Sequence, residues 1–539
     1  MILDRLNNQS KTVTGAAIII ASATLLSKII GLIRDRVLAH YFGAGEIMDA
    51  YYAAFKIPDL IYTLLIVGAL TAGFIPTFTK LFYSGEEKSP AWRLANNIFN
   101  IGGLVIAVLS IVGMVFAPWL IPVVAPGFSE ASRELTVSLT RIMFISPLFF
   151  GLSMTLGGVL QSLGRFVFYS IAPIFYNLGI IVGAVFLVKL FGPIGLAWGV
   201  VLGAALHCSL QMIGARGAGW RWHWQFDLKD AETRLVAKLM IPRTLGLAIT
   251  ELNVFVVTIL ASLLPIGSVA VYNYANNLQA VPTGIIGIPF ALAVFPLLSA
   301  AAARNNSADF LKYLSSTARQ ILFLVIPMSV IILLLRAQIV RVVLGSGAFD
   351  WSATTATADA LAFFAFGLFA QSLIPLLARS FYSLSDTKTP FVIGVITELI
   401  AIIAALILMR PLGVAGLALA SSVGAVLNMT LLVIYLRKAT GGIEGEKLIA
   451  SLYRISIAAI AMAVVIQFLK YPLAKIFDMN YFFGVLGQGL VAGLIGFAVY
   501  GFICWLLKVP EFVSLKEAFE RRWLKLRNIT TTELIETKE

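Results

Sequence analysis

The chain has 539 residues, 59% of them apolar and only 12% charged, with a mean hydropathy of +0.92. A soluble domain carries about 25% charged residues, so a water-soluble globular protein is excluded. With 44 glycines, 20 prolines, 2 cysteines and 12% aromatic residues it is neither collagen-like, nor a disulfide framework, nor disordered. The net charge of +13 comes from Lys and Arg scattered between apolar runs, without the basic stripe and interleaved aromatics that bind nucleic acid; no nucleic-acid partner is expected.

In chain order, polar, Gly and Pro breaks predict about fourteen apolar spans, each long enough to cross a bilayer as a helix. The first six cover 13–40, 48–80, 93–123, 134–163, 166–189 and 193–215; the next six cover 238–264, 269–302, 318–343, 353–384, 389–409 and 412–436; the last two cover 450–470 and 482–507. A barrel strand needs only about 10 residues with period-two alternation, which none of these runs shows, so helices are predicted throughout. Ala21-Ser22-Ala23 has the look of a cleavage site but lies inside the first apolar run, so that helix is expected to be retained.

An even number of spans puts both termini on one side. The loops on that side hold most of the 40 Lys and Arg residues, and the opposite loops hold Arg133, Lys189, Arg336, Arg341, Arg410, Lys470 and Lys475. Basic loops stay inside, so both termini are expected in the cytoplasm. Short segments recur about 220 residues apart: Phe74-Ile75-Pro76 with Val294-Phe295-Pro296, Ser162-Leu163 with Ser383-Leu384, and Pro193-Ile194-Gly195-Leu196-Ala197 with Pro411-Leu412-Gly413-Val414-Ala415. Six spans separate the copies, which makes a parallel repeat. The expected architecture is an all-α polytopic membrane protein with two pseudo-symmetric six-helix lobes around a central cavity. The lobes cover residues 1–220 and 221–440, with an appended helix pair in 441–507 and a cytoplasmic amphipathic tail over 508–539. In that tail Phe512, Leu515, Phe519, Trp523 and Leu526 recur at spacings of three and four. The Trp220-Arg221-Trp222-His223-Trp224 cluster reads as an interfacial aromatic belt.

Ionisable groups inside spans carry the functional information, since each costs about 2.5 to 3.5 kcal/mol at a helix centre unless it faces protein or water. They concentrate in Lys28, Arg34, Asp35 and Arg36 of span 1 and in Asp49, Lys56 and Asp59 of span 2. Helical spacing puts Lys28 and Asp35 on one face, and Asp49, Tyr52, Lys56 and Asp59 on another. Two charged stripes on adjacent helices imply a wetted interior surface with an excess of cations, suited to an anionic head group such as a phosphate. Pro58, Pro76, Pro173, Pro242, Pro289, Pro296, Pro327 and Pro375 supply kinks that can serve as bending points. The histidines His40, His207 and His223 lack a second ligand at helical spacing, and there is no phosphate-binding loop, nucleophile elbow or acid pair. An enzyme is not expected, nor is a metal or direct use of ATP.

Several of these segments resemble one family. Ser27-Lys28-Ile29-Ile30-Gly31-Leu32-Ile33-Arg34-Asp35, Phe42-Gly43-Ala44-Gly45, Asp49-Ala50-Tyr51, Phe55-Lys56-Ile57-Pro58 and Gly68-Ala69-Leu70 with Phe74-Ile75-Pro76 are similar to the MurJ (MviN) family of lipid II flippases. So are Ala125-Pro126-Gly127-Phe128, Ala172-Pro173 with Asn177, Gly267-Ser268-Val269, Phe295-Pro296 with Leu298-Ser299, and Phe381-Tyr382-Ser383 with Asp386-Thr387-Lys388-Thr389-Pro390. The resemblance runs from about residue 13 to 507. It implies the fold of the multidrug/oligosaccharidyl-lipid/polysaccharide exporter superfamily and alternating access in the bacterial cytoplasmic membrane. It also implies the undecaprenyl-diphosphate-linked peptidoglycan precursor as substrate, membrane lipids and cell-wall synthesis enzymes as partners, no cofactor, and drive from the membrane potential or a monovalent ion. The family's cavity cations map onto Lys28 and Arg34, its acidic partners onto Asp35 and Asp49, and further functional residues onto Lys56, Pro173 and Asn177. Where some members carry charges later in span 2 this chain has Tyr62, Thr63 and Val67, and where they carry Asp-Arg in span 8 it has Asn276-Asn277, whose amides can still hydrogen-bond a substrate. The nearest alternatives are a polysaccharide-unit flippase and a drug or cation antiporter of the same fold, the latter resting on Asp49 or Glu251 rather than Lys28. A lipid-carrier transferase and a non-transporting scaffold are more distant.

Overall fold

The computed structural model describes residues 13–67, 73–84, 87–442, 444–514 and 516–517, without the side chains of 13–18, 65–67, 241–243 and 245–250. Gly68-Ala69-Leu70, the Val67 side chain and the tail at Leu515, Phe519, Trp523 and Leu526 therefore lie outside the described residues.

The described residues form helices and no strand. In chain order these are α1 (Val13–Phe42), α2 (Glu46–Ala54), α3 (Lys56–Ile61), α4 (Ile75–Ser84), α5 (Ser89–Val124), α6 (Glu130–Met143), α7 (Ile145–Ser162), α8 (Phe166–Val182), α9 (Val188–Phe191) and α10 (Gly195–Gly217). They continue as α11 (Ala231–Ser262), α12 (Ser268–Pro282), α13 (Ile288–Ala303), α14 (Ser307–Leu334), α15 (Arg336–Val343), α16 (Trp351–Ser383), α17 (Lys388–Leu412), α18 (Val414–Thr440), α19 (Gly445–Ile476) and α20 (Phe482–Leu506). Wider π-helical turns interrupt the run among the described residues, at Tyr62–Val67, Gly183–Leu187 and Thr283–Gly287. Among the described residues, 10 segments are long and apolar enough to cross a membrane. The protein is a multi-pass membrane protein of all-helical class. One of those segments, Phe166–Gly217, has 52 residues. As one straight helix it would run about 78 Å, more than twice the hydrocarbon core of about 30 Å. It is broken by a tight turn at Gly192–Ile194, where Gly192 takes φ 61° and Pro193 removes a backbone donor. Helices α2 and α3, with 9 and 6 residues, are each too short to cross a membrane alone.

The helices group into two compact units. The first comprises Met1–Ala275, Val343–Thr357 and Glu398–Leu417. Within it α10 packs along α7 and α8, and α8 along α1. Lipid leaves little hydrophobic drive between helices, so close backbone approach supplies the attraction. Gly179 and Gly183 of the α8 segment meet Gly203 and Gly199 of α10 so closely that a β-carbon at Gly179 would lie 2.3 Å from the Gly203 backbone. Helix α11 packs on the Tyr62–Val67 turn and on α5, where the Thr244 hydroxyl donates to the Leu64 carbonyl at 2.8 Å.

The connection from α10 to α11 is extended and is held by three buried amides on α5. Asn96 donates to the Arg221 carbonyl and accepts from the His223 N–H; Asn97 donates to the Asp227 carbonyl and accepts from its N–H; Asn100 donates to the carbonyls of His223 and Gln225. The aromatic cluster of this segment divides: Trp220 is buried against Phe99, whereas Trp222 and Trp224 are exposed.

The second unit comprises Asn276–Val342, Ala358–Thr397 and Ala418–Glu539. A core in this unit joins α14, α19 and α20 through Phe323, Ile455, Met462, Ile466, Tyr500 and Cys504. Tyr500 satisfies its buried hydroxyl on the Phe323 carbonyl at 2.7 Å. Just past α20, Glu511 is buried, accepts from the Ser451 hydroxyl at 2.7 Å and pairs with Arg319 at 3.3 Å.

Candidate functional site

The charges of α1 and the helix after it sort into three local arrangements within the first unit. In the first, Arg34 turns its guanidinium onto its neighbour: Nε and Nη2 donate to Asp35 Oδ1 at 3.0 and 2.7 Å, and Nη1 donates to Asn177 Oδ1 at 2.9 Å. The Asn177 amide is oriented by its other contacts, since Nδ2 donates to the Pro173 carbonyl at 3.2 Å and to the Ser27 carbonyl at 3.5 Å. Asn177 can bond that carbonyl, four residues earlier, because the side chain folds back along α8. Asp35 and Asn177 are buried, but the Arg34 side chain keeps 22% of its surface exposed. A guanidinium has five N–H donors, and three are engaged, so two remain to meet a ligand.

In the second arrangement Asp49, at the top of α2, accepts from the backbone N–H groups of Gly267 at 2.6 Å and Ala270 at 2.8 Å. It thus caps α12 and meets the positive end of that helix. Backbone meets backbone around it. The Ala348 N–H donates to the His40 carbonyl at 2.9 Å. A β-carbon at Gly347 would sit 2.2 Å from that carbonyl oxygen, and one at Gly267 would sit 2.2 Å from the Ala44 oxygen. Both glycines have positive φ, which side chains rarely adopt.

In the third, Lys56 is buried at the start of α3, with its ammonium 3.4 Å from Asn273 Oδ1. It lies in the electrostatic field of Asp59 and Glu251. By formal count two acids and one lysine share this corner, which makes it net acidic.

Of the residues singled out in the sequence, the structure joins Arg34, Asp35, Pro173 and Asn177 in one hydrogen-bonded group. Lys28 shares α1 with Arg34 and Asp35 but is exposed, with no hydrogen bond or ion pair among the described residues. Asp49 and Lys56 both face the start of α12 but meet different groups on it, the Gly267 and Ala270 N–H groups and Asn273 Oδ1, and Phe55 between α2 and α3 keeps an α-helical backbone. Asn276 and Asn277 belong to the second unit, where Asn276 accepts from Gln279 at 3.0 Å.

Sequence reasoning noted Tyr62 only as a position where some family members carry a charge, and passed over Phe150 and Tyr176. The rings of Tyr62, Phe150 and Tyr176 form a run, with centroids 5.2 Å apart for Tyr62 and Phe150 and 5.0 Å for Phe150 and Tyr176. Tyr176 precedes Asn177 and lies in the field of Arg34, Asp59 and Tyr62. The available signal was Pro58, whose missing donor loosens the helix just before the π-helical turn that starts at Tyr62.

A family model described as "Lipid II flippase MurJ" matches residues 38–486. The chain belongs to the MurJ family of lipid II flippases. That family consists of transporters rather than enzymes. The lipid II flippase MurJ of Burkholderia cenocepacia is 31% identical over 431 residues, covering 78% of this chain and 83% of the relative. Among solved structures, a lipid II flippase MurJ in an inward closed conformation superposes with a TM-score of 0.73 at 24% identity, covering 90% of this chain and 98% of that one. An inward-facing multidrug transporter of the MATE family and MOP superfamily superposes with a TM-score of 0.65 at 16% identity, covering 80% and 99%. At these identities the structures establish the shared MurJ and MATE fold.

Proposed function

We propose that the chain carries lipid II, the undecaprenyl-diphosphate-linked sugar-peptide precursor of peptidoglycan, from the inner to the outer leaflet of the bacterial cytoplasmic membrane by alternating access. The observation that carries this reading is Arg34: a guanidinium on a side chain 22% exposed, braced by Asp35 and Asn177, with two N–H donors left over. Charge-assisted hydrogen bonds of that kind suit diphosphate oxygens, and the unpartnered Lys28 on the same helix adds a second cation. With both termini in the cytoplasm, the His40–Asp49 segment is external. The close apposition of Gly267 and Gly347 to it then seals the outer end while the head group loads from inside. Opening outward requires the Asp49 cap and the Ala348–His40 hydrogen bond to part.

The direction of transport follows from charge. A head group with two negative charges leaving a negative interior gains about 4.6 kcal/mol at 100 mV, twice the value for one charge. The membrane potential, or a monovalent ion moving with it, supplies the drive without a cofactor, and cell-wall synthesis enzymes take up the product. The test is native mass spectrometry of the purified protein with the precursor, followed by a flipping assay under an imposed potential. Retention of the precursor that falls in Arg34→Ala and Lys28→Ala supports the reading; indifference to both substitutions refutes it.

A cation antiporter of the same fold draws support from one feature, the net acidic corner of Lys56, Asp59 and Glu251. On that reading Glu251→Gln abolishes transport and Arg34→Ala spares it.

A further inference from the structure

Tyrosines of the first unit divide by exposure. Tyr51, Tyr52 and Tyr274 are packed away at 2%, 8% and 1% exposure, ring edge against ring face. Tyr62, Tyr169 and Tyr176 are half-buried, and their hydroxyls have no hydrogen-bond partner among the described residues. A tyrosine that serves only as packing either hides its ring or satisfies its hydroxyl, as Tyr500 does. Phe150, between Tyr62 and Tyr176, is backed by a fixed support. Its ring lies 5.4 Å from the buried His207 ring, and His207 is held by Ser153 at 2.6 Å. The run is therefore a supported set of tilted rings carrying the phenol hydroxyls of Tyr62 and Tyr176; Tyr169 lies in the field of Tyr62, and Tyr176 in that of Arg34.

From this juxtaposition we infer that Tyr62, Phe150 and Tyr176, with Tyr169 beside them, are a carbohydrate-recognition shelf for the sugar attached to the diphosphate held at Arg34. The inference rests on the flippase reading and extends it from the phosphates to the saccharide. A pyranose ring offers an apolar C–H face and a rim of hydroxyls, which match ring faces and phenol O–H groups respectively. A cationic ligand also suits aromatic faces, but here it would meet Arg34 and Lys28, both of like charge. Sites that hydrogen-bond a substrate hydroxyl discriminate strongly against analogues without it, so the shelf sets a preference for saccharide-bearing lipid over bare lipid diphosphate.

The experiment compares retention of the sugar-peptide precursor and of undecaprenyl diphosphate, by native mass spectrometry, in the unsubstituted protein and two variants. Tyr62→Leu/Tyr176→Leu removes rings and hydroxyls; Tyr62→Phe/Tyr176→Phe keeps the rings and serves should the first pair fail to fold. The Leu pair is expected to lose about tenfold or more of the preference for the precursor, and the Phe pair about threefold, as lost hydrogen bonds and stacking predict. Retention of undecaprenyl diphosphate is expected to hold in both. A preference unchanged in the Phe pair, and in the Leu pair where it folds, overturns the inference alone, as does equal weakening of both lipids. An unsubstituted protein that retains neither lipid overturns the flippase reading, and the inference with it.

Discussion

Arg34 in the first unit and Arg319 in the second each hold a buried carboxylate that has a neutral neighbour close by. Their side chains are about equally exposed, 22% and 18%, and both carboxylates are at 4%. Arg34 pairs with the residue next to it in the chain, so the ion pair fastens nothing distant; it sets the guanidinium's angle and leaves donors free. Arg319 on α14 pairs with Glu511 beyond α20, and Ser451 on α19 donates to the same carboxylate. That pair ties three separated segments together. The same chemistry presents a charge in one place and ties segments in the other, and what differs is how far along the chain the partner lies.

The comparison can be broken most forcefully at Arg319. Arg319→Ala leaves Glu511 buried without its counter-charge and is expected to cost about 3 to 5 kcal/mol of stability, read as a drop in thermal unfolding temperature in detergent with precursor retention per folded molecule unchanged. Arg34→Ala is expected to show the reverse emphasis. Loss of charge-assisted hydrogen bonds worth about 1.5 to 3 kcal/mol predicts roughly a ten- to hundredfold fall in precursor retention. Arg34→Lys is expected to restore little of it, because one ammonium cannot reach Asp35, Asn177 and a phosphate in the guanidinium's fixed fork. If both arginine-to-alanine variants lose stability and neither loses binding, the distinction between presenting and fastening collapses.

Asp49→Ala tests the cap on α12 and is expected to cost about 0.5 to 2 kcal/mol. Cysteines placed near Ala348 would then become more accessible from outside. The smallest effect belongs to Asp386, in the loop before α17. There it accepts from the Thr389 N–H at 2.9 Å, and hydrogen bonding from Thr389, its side chain foremost, holds the carboxyl below its ordinary value. A carboxyl depressed on folding stabilises the fold fully above its unfolded value of 3.8, and that contribution fades as the pH falls through the folded value. Asp386→Ala should remove this acid-side dependence and change little at neutral pH.

The long helices were legible because membrane spans announce themselves by apolar length. Span 1 was read as carrying the central charges, and the structure places Arg34 and Asp35 there together with Asn177 and Pro173. Side-chain direction was harder to read. Helical spacing paired Lys28 with Asp35, yet a guanidinium one residue away reaches Asp35 first and Lys28 stays exposed. The cap formed by Asp49 was invisible because its partners lie 218 and 221 residues downstream. No local pattern reports a contact of that range. Tyr169 and Tyr176 were passed over, and Tyr62 was read only as a missing charge, for a different reason: in an apolar sequence an aromatic residue reads as core, and only exposure tells a packed ring from a presented one.

The extended connection over 221–227 has a consequence for how force travels in the first unit. A lone strand offers its backbone to any passing chain and can slip in register. Here Asn96, Asn97 and Asn100 act as the missing neighbour, so the ribbon has a mate made from a helix and no slack to give. It works as a strut of set length between α10 and α11. A tilt of α11 is passed to α5 rather than absorbed on the way, and a probe on the exposed Trp224 should move with both.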